Sequence, residues 1–201
     1  MRIVVTAFDP FGGQRVNPAQ LAVAELPSRI AGADIVRFIV LTRFGTPLPD
    51  LTLADAVLCV GQAGGRAQLT PERVAINIDD ASIPDNAGNQ PTGTPIVENG
   101  PAAYFATLPV KAMVAAIRDA GLPAALSNTA GTFVCNHLMY RMLHATAGTA
   151  TRAGFIHVPY APEQGEPSLP VADITRGLVA AIEAIVAHPD GDLVSAEGAT
   201  H

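Results

Sequence analysis

The stretch Ala124–Tyr140, "AALSNTAGTFVCNHLMY", decides the fold. A short run ending at Asn128 meets a Thr-Ala-Gly-Thr turn, after which apolar residues recur at helical spacing over 133–147. Downstream, "AGFIHVP" (153–159) reads as a strand. A strand, a helix and a second strand in that order imply a mainly parallel sheet.

Further strand-like runs lie at 2–8, 33–41, 55–61 and 73–79, and further helical patterns at 18–26, 109–120 and 171–187. In the last of these, Val171, Ile174, Leu178, Ile182 and Ile185 keep three- and four-residue spacing. The expectation is one α/β domain whose twisted, mainly parallel sheet is covered on both faces. Two segments break the alternation. Residues 79–101 are too rich in Asp, Asn, Gly and Pro for regular structure, and loops of that length are usually functional or disordered. The polar tail 189–201 reads as a frayed end of the 1–188 domain.

At 201 residues, 49% of them hydrophobic, the chain suits a single sizeable core. A net charge of −6 with no Lys/Arg cluster argues against nucleic acid or an anionic membrane as partner. The apolar start meets Asp9-Pro10 too soon for a secretory signal, and no run approaches membrane-spanning length. Two cysteines are too few for a disulfide framework, so a reducing cytoplasm is expected.

Cys135 falls in the first turn of the 133–147 helix. Free amides and the positive dipole end there lower a thiol pKa and can hold an oxyanion. Cysteine is also among the most buried residue types, and Cys59, mid-strand, fits that role better. His137 lies about 200° from Cys135 around the helix, a poor position for a base. His157 stands near the C-terminal end of 153–159. A right-handed strand–helix–strand unit brings that end and the helix start to one sheet edge. A Cys–His pair is commonly oriented by a third polar group. Glu72 is one candidate, although Thr70-Pro71-Glu72 also reads as a helix start, and Asp79, Asp80 and Asp85 remain open. The glycine turns "FDPFGG" (8–13) and "GQAGG" (61–65) match no nucleotide-loop pattern.

The runs "TAFDPFGG" followed by Asn17, "VGQAGGR", "ERVAIN", "IPDNAGNQP" and "AGTFVCNH", with His157 in "HVP", closely resemble pyroglutamyl peptidase type I, a family of cysteine peptidases. The resemblance covers residues 2–187. It implies a three-layer α/β/α sandwich, often a homotetramer, needing no metal or cofactor. It makes Cys135 the nucleophile, His157 the base and Glu72 its orienting acid. It also implies a pyroglutamyl pocket from Phe8, Phe11, Asn17, Gln62, Ile83, Phe133 and Val134, and peptides with N-terminal pyroglutamate as substrates. Ala7 stands where the family usually has Gly, and Ser82 where it commonly has Arg. A non-catalytic lactam or peptide binder is the competing expectation.

Overall fold

Side chains alternate along the central strands and divide the interior into two cores, as period-two geometry requires. In the computed structural model, which describes residues 1–198, the elements run β1 (Arg2–Phe8), α1 (Pro18–Ala24), β2 (Arg29–Ile30), β3 (Ala33–Val40), β4 (Ala56–Gln62) and β5 (Thr70–Glu72). They continue as β6 (Val74–Ile76), β7 (Ala103–Phe105), α2 (Val110–Asp119), α3 (Val134–Thr146), β8 (Arg152–Val158) and α4 (Val171–Ala187). Ile3, Val5, Leu58, Val60, Ile156 and Val158 face α1, α2 and α4. Val4, Phe8, Val57, Cys59, Ala153 and Phe155 face α3. The architecture is the expected three-layer sandwich.

The main sheet has the order β2-β3-β1-β4-β8-β5. The central β3, β1, β4 and β8 are parallel, and the short β2 and β5 at the rims are antiparallel. From β1 the chain winds outward to β3, and from β4 outward to β8. The carboxyl ends of β1 and β4 therefore flank the switch point where open α/β sheets place ligands.

Three expectations need correction. The run 73–79 is not one strand: the chain changes sheets at Arg73. Its amide bonds Ser127 O while its carbonyl accepts from Ala106, so β5 stays in the main sheet and β6 joins β7 in a separate ribbon. The run 124–128 is not a strand either. It forms two isolated parallel bridges, Leu69–Ala124 and Glu72–Ser127, to β5, which is antiparallel to β8. It thus runs opposite to β8, and the parallel-crossover argument does not apply to it.

The tail, expected to fray, docks instead. Asp192 accepts from the Lys111 and Ala112 amides at 3.0 and 2.9 Å, capping α2, whose own N-cap Pro109 has no side chain to do so. Lys111 Nζ donates to Ser195 O at 2.6 Å, and Arg118 meets Glu197 at 3.1 Å. Tail residues 199–201 lie outside the described residues.

Candidate active site

Parity along β8 places His157 on the α3 side, in line with Ala153 and Phe155. Across the sheet, His157 is in register with Gly61 of β4. The Cys135 sulfur and the Phe155 ring crowd the space over Gly61. A Cβ there would lie 2.9 Å from the sulfur and 2.6 Å from the ring. Gly61 is therefore the gap in β4 that admits the thiol, and Cys135 and His157 share one level of the sheet. Among the described residues, no hydrogen bond joins the Cys135 sulfur to either His157 or His137.

Glu72 occupies β5 opposite Phe155, two positions along from Thr70, which faces His157. Diagonal residues two apart share a face. The His157 Nδ1–Glu72 Oε1 distance is 2.7 Å, with both side chains buried. The carboxylate accepts, so Nδ1 carries the proton and Nε2 is left free to act as base. The helix-start reading of Thr70-Pro71-Glu72 fails because the segment is a strand.

The other acids are engaged elsewhere. Asp79 accepts from Nδ1 of His137 at 2.8 Å, and His137 Nε2 accepts from the Gly45 amide at 3.0 Å. Both nitrogens of His137 are thereby occupied. Asp85 accepts from the amides of Phe44, Ala87 and Asn89 and from the Asn89 side chain. Against burial, which would raise it, these bonds hold its carboxyl below the usual range. Asp80 is exposed and anchors only through its backbone.

Burial pushes the Cys135 thiol up to about 12, helped by the Glu72 charge and opposed by Arg66. Burial also lowers His157 below the ordinary imidazole value, with Glu72 raising it and Arg66 lowering it further. The expectation of a lowered thiol pKa is thus corrected. Burial acts against charge on both groups, raising the thiol and lowering the imidazole. Those first-turn amides of α3 have no intrahelical carbonyl, and the N-cap Phe133 offers them no side-chain acceptor.

The residues of the implied pocket lie in different surroundings. Phe11 and Phe133 are half-buried with ring centroids 6.2 Å apart, and Phe44 meets Phe133 edge-on at 5.5 Å. Phe8 and Val134 are buried in the α3-side core, while Ile83 is 44% exposed. Asn17 caps α1 by accepting from the Ala19 amide, and it donates to Asp9 O. Gln62 is buried and accepts from Gln164 at 3.0 Å.

Sequence reasoning missed Phe44, Gln164 and Arg66. Only Arg66 left a trace, as the last residue of the quoted run "VGQAGGR". The segment 79–101 is tied to the turn before α3 and to the loops that follow β1 and β3. Asp80 exchanges bonds with Thr132, just before α3, while Asn86 binds Pro10 O and Thr42 O. Among the described residues, no three or more His, Cys, Asp or Glu gather as a metal site would need, and no helix is long and apolar enough to cross a membrane.

Residues 1–188 match the family model described as pyroglutamyl peptidase. A pyrrolidone-carboxylate peptidase of Levilactobacillus brevis is 56% identical over 94% of this chain and 100% of its own length. One from Streptococcus pyogenes is 55% identical over the full length of both chains. Among solved structures, pyroglutamyl peptidase I of Bacillus amyloliquefaciens is 47% identical, with a TM-score of 0.89 over 94% of this chain and 98% of its own. The pyrrolidone carboxyl peptidase of Thermococcus litoralis is 33% identical, with a TM-score of 0.90 over 97% and 98% of the two chains. Sequence and architecture agree along the whole catalytic domain, and the chain belongs to the pyroglutamyl peptidase family.

Proposed function

We propose that this chain is a cysteine peptidase that removes N-terminal pyroglutamyl residues from peptides, with Cys135 as nucleophile, His157 as acid–base and Glu72 orienting the imidazole. The carrying observation is the buried Glu72–His157 hydrogen bond at the level where Gly61 makes room for the Cys135 sulfur. The enzyme names of the relatives supply the substrate class.

His157 Nε2 takes the thiol proton as sulfur bonds to the carbonyl carbon that links the lactam to the next residue. The oxyanion lies against the first-turn amides of α3. The C–N bond breaks, and His157 gives its proton to the departing amine. His157 then takes a proton from water as the oxygen attacks the thioester. The S–C bond breaks, and sulfur recovers the proton. The products are pyroglutamate and a peptide one residue shorter. The half-buried Phe11, Phe44 and Phe133 give a small neutral lactam apolar walls without a carboxylate. Gln62, Asn17 and Ile83 complete the proposed binding set.

The working form is proposed to be a cytoplasmic homo-oligomer, a tetramer by family resemblance. Support comes from β3, where Phe38 and Ile39, with Leu41 just beyond it, are exposed and the outer edge beyond Ile35 has no strand partner among the described residues. Hydrolysis of a chromogenic pyroglutamyl amide tests the activity. Cys135→Ser is expected to abolish it. Cys59→Ser is expected to keep most of it, because Cys59 is fully buried in β4 with its thiol pushed up to about 12 by burial. A Cys135→Ser protein with wild-type turnover overturns the assignment.

A further inference from the structure

One charged side chain at the site has no part in the mechanism above. Arg66 lies in the turn between β4 and β5, and its Nη1 sits 2.6 Å from Glu72 Oε1, the oxygen that also accepts from His157. The same nitrogen reaches Thr70 Oγ1 at 2.6 Å and Ser127 Oγ at 3.4 Å. Nη2 donates to the Thr129 carbonyl at 3.2 Å, in the turn leading to Cys135. One guanidinium fork therefore ties together β5, with the orienting acid, and the approach to α3, with the nucleophile.

Glu72 is fully buried, and its second oxygen, Oε2, has no hydrogen-bond partner among the described residues. A buried carboxylate satisfied at one oxygen only is costly to ionise unless a cation stands against it. Arg66 is that cation, with 30% of its side chain open to solvent. It presses on the oxygen facing His157 and so fixes which oxygen the imidazole meets. Lysine could supply the charge but not the fork.

Resting on the proposed function, we infer that Arg66 is a positioning residue of this reaction: it keeps the Glu72 carboxylate turned towards His157, and it holds the turn before α3 so that Cys135 and His157 stay at one level. The charged and titratable groups around His157 are Glu72 from β5, Arg66 from the turn before it and Cys135 from α3. The two charges act oppositely on the imidazole, Glu72 raising its pKa and Arg66 lowering it. Removing Arg66 should therefore move His157 titration to higher pH, the reverse of removing Glu72.

The test compares wild type, Arg66→Ala and Arg66→Lys on a chromogenic pyroglutamyl amide across pH. In Arg66→Ala, kcat should fall ~10- to 100-fold, the size of a modest misplacement of reacting groups, with KM changed by less than about twofold. The acid limb of kcat/KM should move up in pH, and added guanidinium ion should restore part of kcat. Arg66→Lys should return the acid limb towards wild type while leaving kcat reduced; if the alanine variant fails to fold, a lysine variant with wild-type kcat overturns the inference. In Arg66→Ala, an acid limb that does not move, with no rescue by guanidinium, also overturns it, since a purely structural arginine would lower only the melting temperature. Titration of His157 by nitrogen NMR reads the same shift without turnover. A wild type inactive on the amide defeats the functional reading, yet Arg66 is still judged by whether the His157 titration moves.

Discussion

Glu72 could have been a helix-start acid, and the difference has kinetic consequences. A capping acid replaced by its amide costs stability and spares turnover. A carboxylate on Nδ1 of the base does the reverse. Because burial already holds His157 below the ordinary imidazole value, the proposed base stays neutral to lower pH than a free imidazole, so the acid limb of kcat/KM should lie below that value. Glu72→Gln removes the group that raises His157, so the limb should move lower still, while the plateau rate falls by about two to four powers of ten. Stopped assays from pH 4 to 8 beside thermal melts check both. A limb that moves upward, or a melt that collapses while the rate persists, contradicts the role. Local signals, a helix start and a strand end, made Cys135 and His157 candidates only, and the family resemblance chose them. Glu72 was one acid among four, because an antiparallel pairing between residues 72 and 155 leaves no local pattern.

Among the elements, those whose interior decides their identity matched the sequence best. β1 and α4 have the expected bounds, being a continuous buried run and a strongly periodic helix. Short pieces set by long-range partners were not legible. β5 and β6 are divided at Arg73 by two different neighbours, and 124–128 has a strand's composition but only two bridges to β5. The tail misled for a similar reason: its Gly, Pro and acidic residues resemble a frayed end, yet Asp192 reaches back some eighty residues to cap α2. Asp192→Ala should therefore cost about 1 kcal/mol, as lost caps do. In a domain of this size that lowers the melting temperature by ~2–4 °C. Turnover on the pyroglutamyl amide should remain at the wild-type value. Calorimetry that finds no change would mean the tail contributes nothing to α2.

The whole molecule presents one side that a single copy does not cover. A groove of about 300 Å³ lined by Val36, Phe38, Pro49 and Leu53 adjoins the unpaired stretch of β3, and Leu53 is 70% exposed. An open strand edge with apolar residues invites pairing with a second chain. Phe38→Lys should yield a smaller species by light scattering, since a charge on such an edge disfavours that pairing. An unchanged mass would remove β3 from the assembly surface. The segment 79–101 is stitched down by its main chain. Ala81 bonds Pro91 O, Asp85 bonds Asn89 O, and Asn86 bonds Thr42 O, all through backbone amides. Ser82 and Ile83 point outward between those stitches, both exposed. Side chains at these two positions can therefore vary without breaking a main-chain bond, and a serine where the family resemblance expects arginine leaves the fold of this segment intact.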